Sequence, residues 1–124
     1  METPMKTHLL HYAAERFGHT PEYLWKRFPD YCVLRHSGNR KWYAVLMEVP
    51  WRRLGQDREG SVSIVDLKCG PLILGSLLGE PGFLPAYHMS KSSWVTLVLD
   101  GSVPAEEMER LLELSYDQTK GKGA

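Results

Sequence analysis

Two strand-like runs, Tyr31 to His36 and Lys41 to Val49, are separated by little more than Ser37-Gly38-Asn39. A connection that short can only reverse the chain, because parallel pairing needs a crossover of a dozen or more residues. Gly38 and Asn39 tolerate positive φ, and all three residues favour turns. The pair is therefore predicted to be an antiparallel hairpin. That one reversal steers the rest of the chain toward an antiparallel sheet.

What flanks the hairpin decides the class. Thr3 to Phe17 carries Met5, Leu9, Ala13 and Phe17 at four-residue spacing, with Leu10 and Ala14 widening the stripe. This pattern predicts an amphipathic helix, capped by Thr3, opened by Pro4 and closed by Gly18. Between prolines 21 and 29, Thr20 is placed to cap one short helical turn. After the hairpin comes an 11-residue loop from Pro50 to Gly60, with Trp51, Arg52, Arg53 and Arg58. A loop of that length on a small domain favours function. Ser61 to Lys68 is a third strand, and its apolar phase slips at Ile64-Val65, which predicts a bulge or burial on both faces. Pro71 to Leu78 reads as a short helix, Gly79 to Gly82 as a turn, and Trp94 to Asp100 as a fourth strand. Pro104 to Thr119 is a closing helix with Met108, Leu111, Leu112 and Tyr116 as its stripe. Hairpin-type links rather than strand–helix alternation predict an α+β fold, with helices on one face of an antiparallel sheet.

The 124 residues suit one domain, 1–119, followed by the tail 120–124, which has nothing to bury and is predicted to be flexible. No apolar run approaches the roughly 20 residues that span a bilayer, so no membrane partner is expected. Met1 to Lys6 has neither the apolar core nor the cleavage site of a signal peptide, which makes a cytoplasmic location the expectation. Cys32 and Cys69 then read as reduced and buried. Fifteen basic and 15 acidic residues cancel. Any nucleic-acid binding must come from a local patch of cations.

Because side chains alternate along a strand, each strand divides into two faces. The sets Tyr43, Val45, Met47, Val49 and Val95, Leu97, Leu99 are expected to face the long helices. Trp42 and Trp94 then fall on the other face with Tyr31, Arg35 and Lys68. Either the loops fold back and bury those tryptophans as a minor core, or the face is a binding or dimerisation surface. Aromatic rings flanked by Arg and Lys suit stacked bases and phosphates.

Few patterns suggest catalysis. His8, His11 and Glu15 share a helix face, yet nothing else points to a metal, and none is expected. His88 and Asp100 with Ser90, Ser92 and Ser93 have hydrolase residue types without a Gly-x-Ser-x-Gly elbow. Nothing marks Cys69 as an activated thiolate toward His88. Phosphate-binding glycine motifs are missing, so no cofactor and no enzymatic activity are expected. The richest segment is Pro85 to Gly101. There His88, Lys91 and Trp94 can converge on an anion or planar ligand, or Tyr87 and His88 can cap backbone groups while Lys91 is merely solvated.

The run from Pro85 through Tyr87-His88-Met-Ser-Lys91-Ser-Ser-Trp94 to Pro104, with Leu114-Ser115-Tyr116, resembles the C-terminal signature of the MmcQ/YjbR family. Similarity extends upstream through Glu22 to Lys26, Tyr31 to His36, Lys41 to Met47 and Leu67 to Cys69, covering nearly the whole chain. The resemblance implies a frataxin-like (CyaY-like) two-layer sandwich with the N- and C-terminal helices packed on one face. It also implies DNA binding through a double-wing arrangement of strands. Carried over by position, the family's recurring residues fall on Trp25, Lys68, Tyr87, His88, Lys91 and Trp94. One departure is Gly70-Pro71-Leu72-Ile73, apolar where the family often opens a helix with Asp-Pro-Glu. With Arg35, Trp42, Arg52 and Arg53 added from the strand faces and the loop, these form the expected ligand-binding set. Two functions are expected from it: a non-enzymatic module binding DNA, or a protein-interaction or homodimerisation module using the Trp42/Trp94 face.

Overall fold

Strands β1 (Cys32–Arg35) and β2 (Trp42–Pro50) form the expected antiparallel hairpin. The structure, a computed structural model, describes residues 4–121. At the hairpin tip, positive φ falls on Arg40 (65°) rather than on Gly38 or Asn39. Asn39 acts through its side chain: Oδ1 accepts the Lys41 N–H at 2.9 Å, and Nδ2 donates to the Thr119 carbonyl at 2.9 Å. This closes an Asx-type turn and ties the tip to the end of the last helix.

The sheet continues with β3 (Ser61–Lys68), β4 (Phe83–Pro85) and β5 (Trp94–Val98), in the order β1-β2-β3-β5-β4, antiparallel throughout. Three helices, α1 (Pro4–Phe17), α2 (Pro71–Leu77) and α3 (Ala105–Thr119), complete the α+β architecture. Strand β4 is not apparent in the alternation pattern, being only three residues long. Gly82 at φ 87° leads into it, where a Cβ would sit 2.6 Å from Val103 Cγ2. The phase slip in β3 reflects burial on both faces: its register against β2 runs unbroken from Ser61↔Pro50 to Leu67↔Ala44.

All three helices cover one face. Leu9 and Ala13 of α1, Leu74 and Leu77 of α2, and Met108, Leu111 and Leu112 of α3 pack with Leu34, Leu46, Val65, Leu67, Val95 and Leu97. Each fully buried leucine contributes about 1.5–3 kcal/mol. Helices α1 and α3 are joined by Tyr12 O–H donating to Glu113, by His8–Glu109 at 2.5 Å and by Arg16–Glu113 at 3.3 Å.

A bulge overturns the expected faces of β2. Leu34 pairs with Ala44 and Arg35 with Trp42, which leaves Tyr43 as an extra residue. Tyr43 and Ala44 both enter the helix-side core, so the alternation inverts. Leu46 faces the helices, whereas Val45, Met47 and Val49 lie on the opposite face. The expectation for β5 holds, with Val95 and Leu97 under the helices. The bulge has its own tie to α3: Ser115 Oγ donates to the Tyr43 carbonyl at 2.6 Å and accepts the Lys68 N–H at 2.9 Å.

The opposite face carries a second core of Val33, Val45, Met47, Val49, Trp51, Val62, Ile64 and Val98. Trp25, Tyr31, Trp42, Leu54, Leu84, Tyr87 and Met89 pack against it. The turn of helix expected at Pro21 does not form. Edge strand β1 has free backbone groups, and Glu22 pairs with Val33 through N–H···O contacts of 2.9 and 3.0 Å. The loop after β2 opens with a 3-10 helix, Trp51–Leu54, that buries Trp51.

Cys32 and Cys69 are buried and form no disulfide, as expected. The expected cap at Thr3 and tail residues 122–124 lie outside the described residues. Lys120 ends α3 by donating its N–H to the Tyr116 carbonyl at 3.1 Å. Among the described residues, no helix is long and apolar enough to cross a membrane.

Candidate binding face

The expected site residues fall into three groups on or around the second face. The first is built on the β1–β2 edge. Arg35 lies opposite Trp42 in register and forks onto Glu22, with Nε to Oε2 at 2.8 Å and a terminal nitrogen to Oε1 at 2.6 Å. That fork holds the Glu22 carboxyl below its ordinary pKa, first through the hydrogen bond and then through charge. Trp25 stands edge-on to Trp42 at 5.7 Å and to Tyr31 at 6.0 Å. Both indoles are half-buried. These residues form an aromatic lid on the sheet, with the cation already paired.

The second group lies at the β3–β5 side. Trp94 pairs with Lys68 and is buried, with 8% of its surface exposed. His88 and Lys91 lie at the surface, and the His88 ring sits 3.9 Å from that of Tyr87. The expected convergence of imidazole, ammonium and indole is therefore corrected: the indole belongs to the interior and has no exposed face to stack beside the two polar groups. The turn closed by Trp94 N–H to Ser90 C=O at 3.0 Å carries Lys91 outward. The third group is Arg52 and Arg53, both exposed on the 3-10 helix. Arg58 of the same loop stacks on Trp51, with its guanidinium carbon 4.1 Å from the ring centroid.

Sequence reasoning missed the exposed part of the face. Tyr23, Leu24 and Phe28 are 53%, 45% and 47% exposed, and Lys26 and Arg27 between them are exposed as well. Phe28 stacks on Tyr31 at 4.6 Å. These two rings line a shallow cavity of about 220 Å³ with Glu48, Pro50 and Arg53, joining the 19–31 segment to the loop after β2. The proline brackets drew attention to a helical turn, whereas the informative signal was three aromatic residues clustered with Lys26 and Arg27 between Tyr23 and Phe28. Among the described residues, Lys26, Arg27, Arg52, Arg53, Lys68 and Lys91 form no ion pair. Helix α3 is acidic, with Glu106, Glu107, Glu109, Glu113 and Asp117 against one Arg110, while Glu22, Asp30, Glu48, Asp57 and Glu59 lie in or beside the basic segments.

A second omission is Asp66, a carboxylate in an otherwise apolar stretch of β3. It is fully buried between Val45 and Thr96 in the strand register. Thr96 Oγ1 donates to Asp66 Oδ1 at 2.5 Å and accepts the Tyr87 N–H at 2.9 Å. Among the described residues, Asp66 Oδ2 has no hydrogen-bond partner. Burial pushes the carboxyl up to about 7, against the opposing effects of Thr96, the Tyr87 backbone and the Lys91 charge. No group of three or more His, Cys, Asp or Glu arranged to hold a metal occurs among the described residues. His8, His11 and Glu15 do line one cavity with Tyr12 and Glu109, where His8 is engaged by Glu109.

The YjbR family model matches residues 15–118. The uncharacterised protein YyaQ of Bacillus subtilis (strain 168) is 41% identical over 106 residues, which cover 86% of this chain and 90% of the relative. A crystal structure of a Pseudomonas syringae protein superposes with a TM-score of 0.90 at 41% identity, covering 93% of this chain and 98% of that one. The crystal structure of Deinococcus radiodurans DR2400, whose domain is described as DUF419, gives a TM-score of 0.71 at 26% identity, over 100% of this chain and 86% of that one.

Proposed function

The chain belongs to the YjbR family, and from that premise we propose that it is a non-catalytic binding module for nucleic acid, DNA first. We read its architecture as the frataxin-like (CyaY-like) sandwich, with the loops over the second face serving as the wings. One observation carries the reading: Phe28 lines one cavity with Arg53, and Tyr23, Lys26 and Arg27 are exposed on the same segment as Phe28, with none of these cations held in an ion pair among the described residues. Rings supply sequence-tolerant stacking and the cations supply phosphate neutralisation. Zero net charge does not oppose this, because the α3 acids lie on the helix side of the sheet.

The test is binding of a labelled duplex and a labelled single strand between low and physiological salt. Affinity should fall log-linearly with salt, with a slope set by the phosphates engaged. Affinity weaker than about 100 μM at low salt would remove the proposal, since even non-specific binders reach that range.

One observation favours a protein partner instead. Leu72 on α2 is 91% exposed and Leu78 is 38% exposed, at the segment that departs from the family pattern. The Trp42/Trp94 face is less suited to that role, since Trp94 is buried. Association through α2 would persist or strengthen as salt rises, and light scattering of wild type and Leu72→Glu at two salt concentrations separates the readings.

A further inference from the structure

The loop after β2 and the turn after β5 together line a cavity of about 160 Å³ at one end of the sheet. Buried Trp51 and Val98 and half-buried Leu84 line it, together with the polar side chains of Gln56, Arg58, Asp100 and Ser102. Arg58 and Asp100 carry opposite charges into one small space, yet among the described residues no ion pair joins them. We propose that this cavity binds a small α-amino acid as its zwitterion, with the carboxylate on Arg58 and the ammonium on Asp100. The site does not rest on the nucleic-acid reading above.

Each half of the site is held in place within the fold. The Arg58 guanidinium carbon sits 4.1 Å from the centre of the Trp51 ring. Trp51 opens the 3-10 helix and is itself fixed, its N–H donating to the Gly60 carbonyl at 3.0 Å and its carbonyl accepting the Gln56 N–H at 3.1 Å. A guanidinium seated over an indole keeps its N–H edge for a carboxylate, and less freedom is lost when the ligand arrives. Asp57 and Glu59 flank Arg58 in sequence, but neither pairs with it among the described residues. On the other side, Asp100 Oδ1 accepts the Ser102 N–H at 2.9 Å and the Ser102 hydroxyl at 2.6 Å. Those bonds fix the carboxylate and leave Oδ2 for a ligand. An ammonium brings three donors, and Asp100 Oδ2, the Ser102 oxygen and the Gln56 amide oxygen are acceptors on the same cavity.

The charges select against simpler ligands. An anion alone gains Arg58 but meets the Asp100 charge, and an amine alone gains Asp100 but meets Arg58. A zwitterion satisfies both, and a short aliphatic side chain finds Val98 and Leu84. At roughly 30 Å³ per water molecule, the cavity has room for about five waters. That suits glycine, alanine or serine and excludes tryptophan.

The test is NMR of the full chain at neutral pH, following the Trp51 indole N–H and the Arg58 side-chain N–H signals. L-Alanine, propionate, ethylammonium, inorganic phosphate and L-tryptophan are titrated separately. L-Alanine should shift both signals saturably. Propionate, which lacks the ammonium, and ethylammonium, which lacks the carboxylate, should each bind at least about 10-fold more weakly, as should phosphate and tryptophan. Arg58→Gln and Asp100→Asn should each weaken L-alanine by a similar factor with unchanged melting temperatures, since both positions are exposed and asparagine retains the oxygen that accepts from Ser102. Lys26→Gln, outside the cavity, should bind as wild type does. No saturable shift with L-alanine, glycine or L-serine at tens of millimolar overturns the proposal. So does propionate or phosphate binding as well as L-alanine, which marks a plain anion site, and so does full L-alanine affinity in Asp100→Asn.

Discussion

Replacing Ser115 by alanine removes one oxygen atom from α3 and tests how the helix layer is fixed to the sheet. The Ser115 hydroxyl lies fully buried between two backbone groups, donating to the Tyr43 carbonyl at 2.6 Å and accepting from the Lys68 N–H at 2.9 Å. Tyr43 is the bulged residue without a partner on β1. Alanine leaves both groups buried and unsatisfied, at about 1–3 kcal/mol each, while its better helix propensity returns about 0.5 kcal/mol. The expected net loss is roughly 1.5–5.5 kcal/mol, a large share of the stability of a domain this size. Urea unfolding should show the midpoint falling at unchanged slope. Ser92→Ala, at an exposed position, should stay within about 0.5 kcal/mol of wild type. A Ser115→Ala loss under 1 kcal/mol would refute the reasoning, because the two backbone groups would then have found other partners.

Asp66→Asn should flatten part of the pH dependence of stability. Folding raises this carboxyl from about 4 to about 7, so its contribution is most favourable at low pH and is lost as pH rises through 7. Between pH 5 and 8 wild type should lose roughly 2–3 kcal/mol from this group, and thermal melts of the variant should lack that slope. His36 has the opposite sign. It is buried against Thr119 Oγ1 at 2.8 Å, and burial, followed by the nearby His19, lowers its pKa. Its stabilising contribution is full above the ordinary histidine value and erodes as pH falls below about 6.5. The His36 ring protons should therefore titrate below that value, and a midpoint at or above it would contradict the burial argument. Gly82→Ala should destabilise by more than 1 kcal/mol in urea melts, since positive φ and a 2.6 Å approach to Val103 Cγ2 act together.

Much of the architecture was legible because it rests on periodicity and turn chemistry. The Leu9/Ala13 and Met108/Leu111/Leu112 stripes place both terminal helices, and the short link between two strand runs places the hairpin. The strand faces were harder to read. A single inserted residue, Tyr43, shifts the count by one, and alternation carries no mark of where a bulge will fall. The 19–31 segment was misread as helical at Pro21 because capping residues are local, whereas the Glu22–Val33 pairing comes from a distant strand edge. The candidate site was legible as a list of residue types more than as a geometry. Trp94 looked available because its strand face seemed open, yet covering loops bury it. Tyr23 and Phe28 carry the exposed aromatic surface instead. Asp66 was visible as a lone carboxylate in an apolar strand, and its partner Thr96 is 30 residues away.

The central claim is that the loop-covered side of the sheet, and not the acidic helix side, binds nucleic acid. Backbone amide shift mapping with a short single-stranded oligonucleotide and a matched duplex at low salt tests it directly. The account predicts shift changes concentrated in residues 23–31, 51–58 and 87–91, reversed by added salt, with α3 unaffected. Changes centred on α2 or α3, or none at millimolar oligonucleotide, would contradict it.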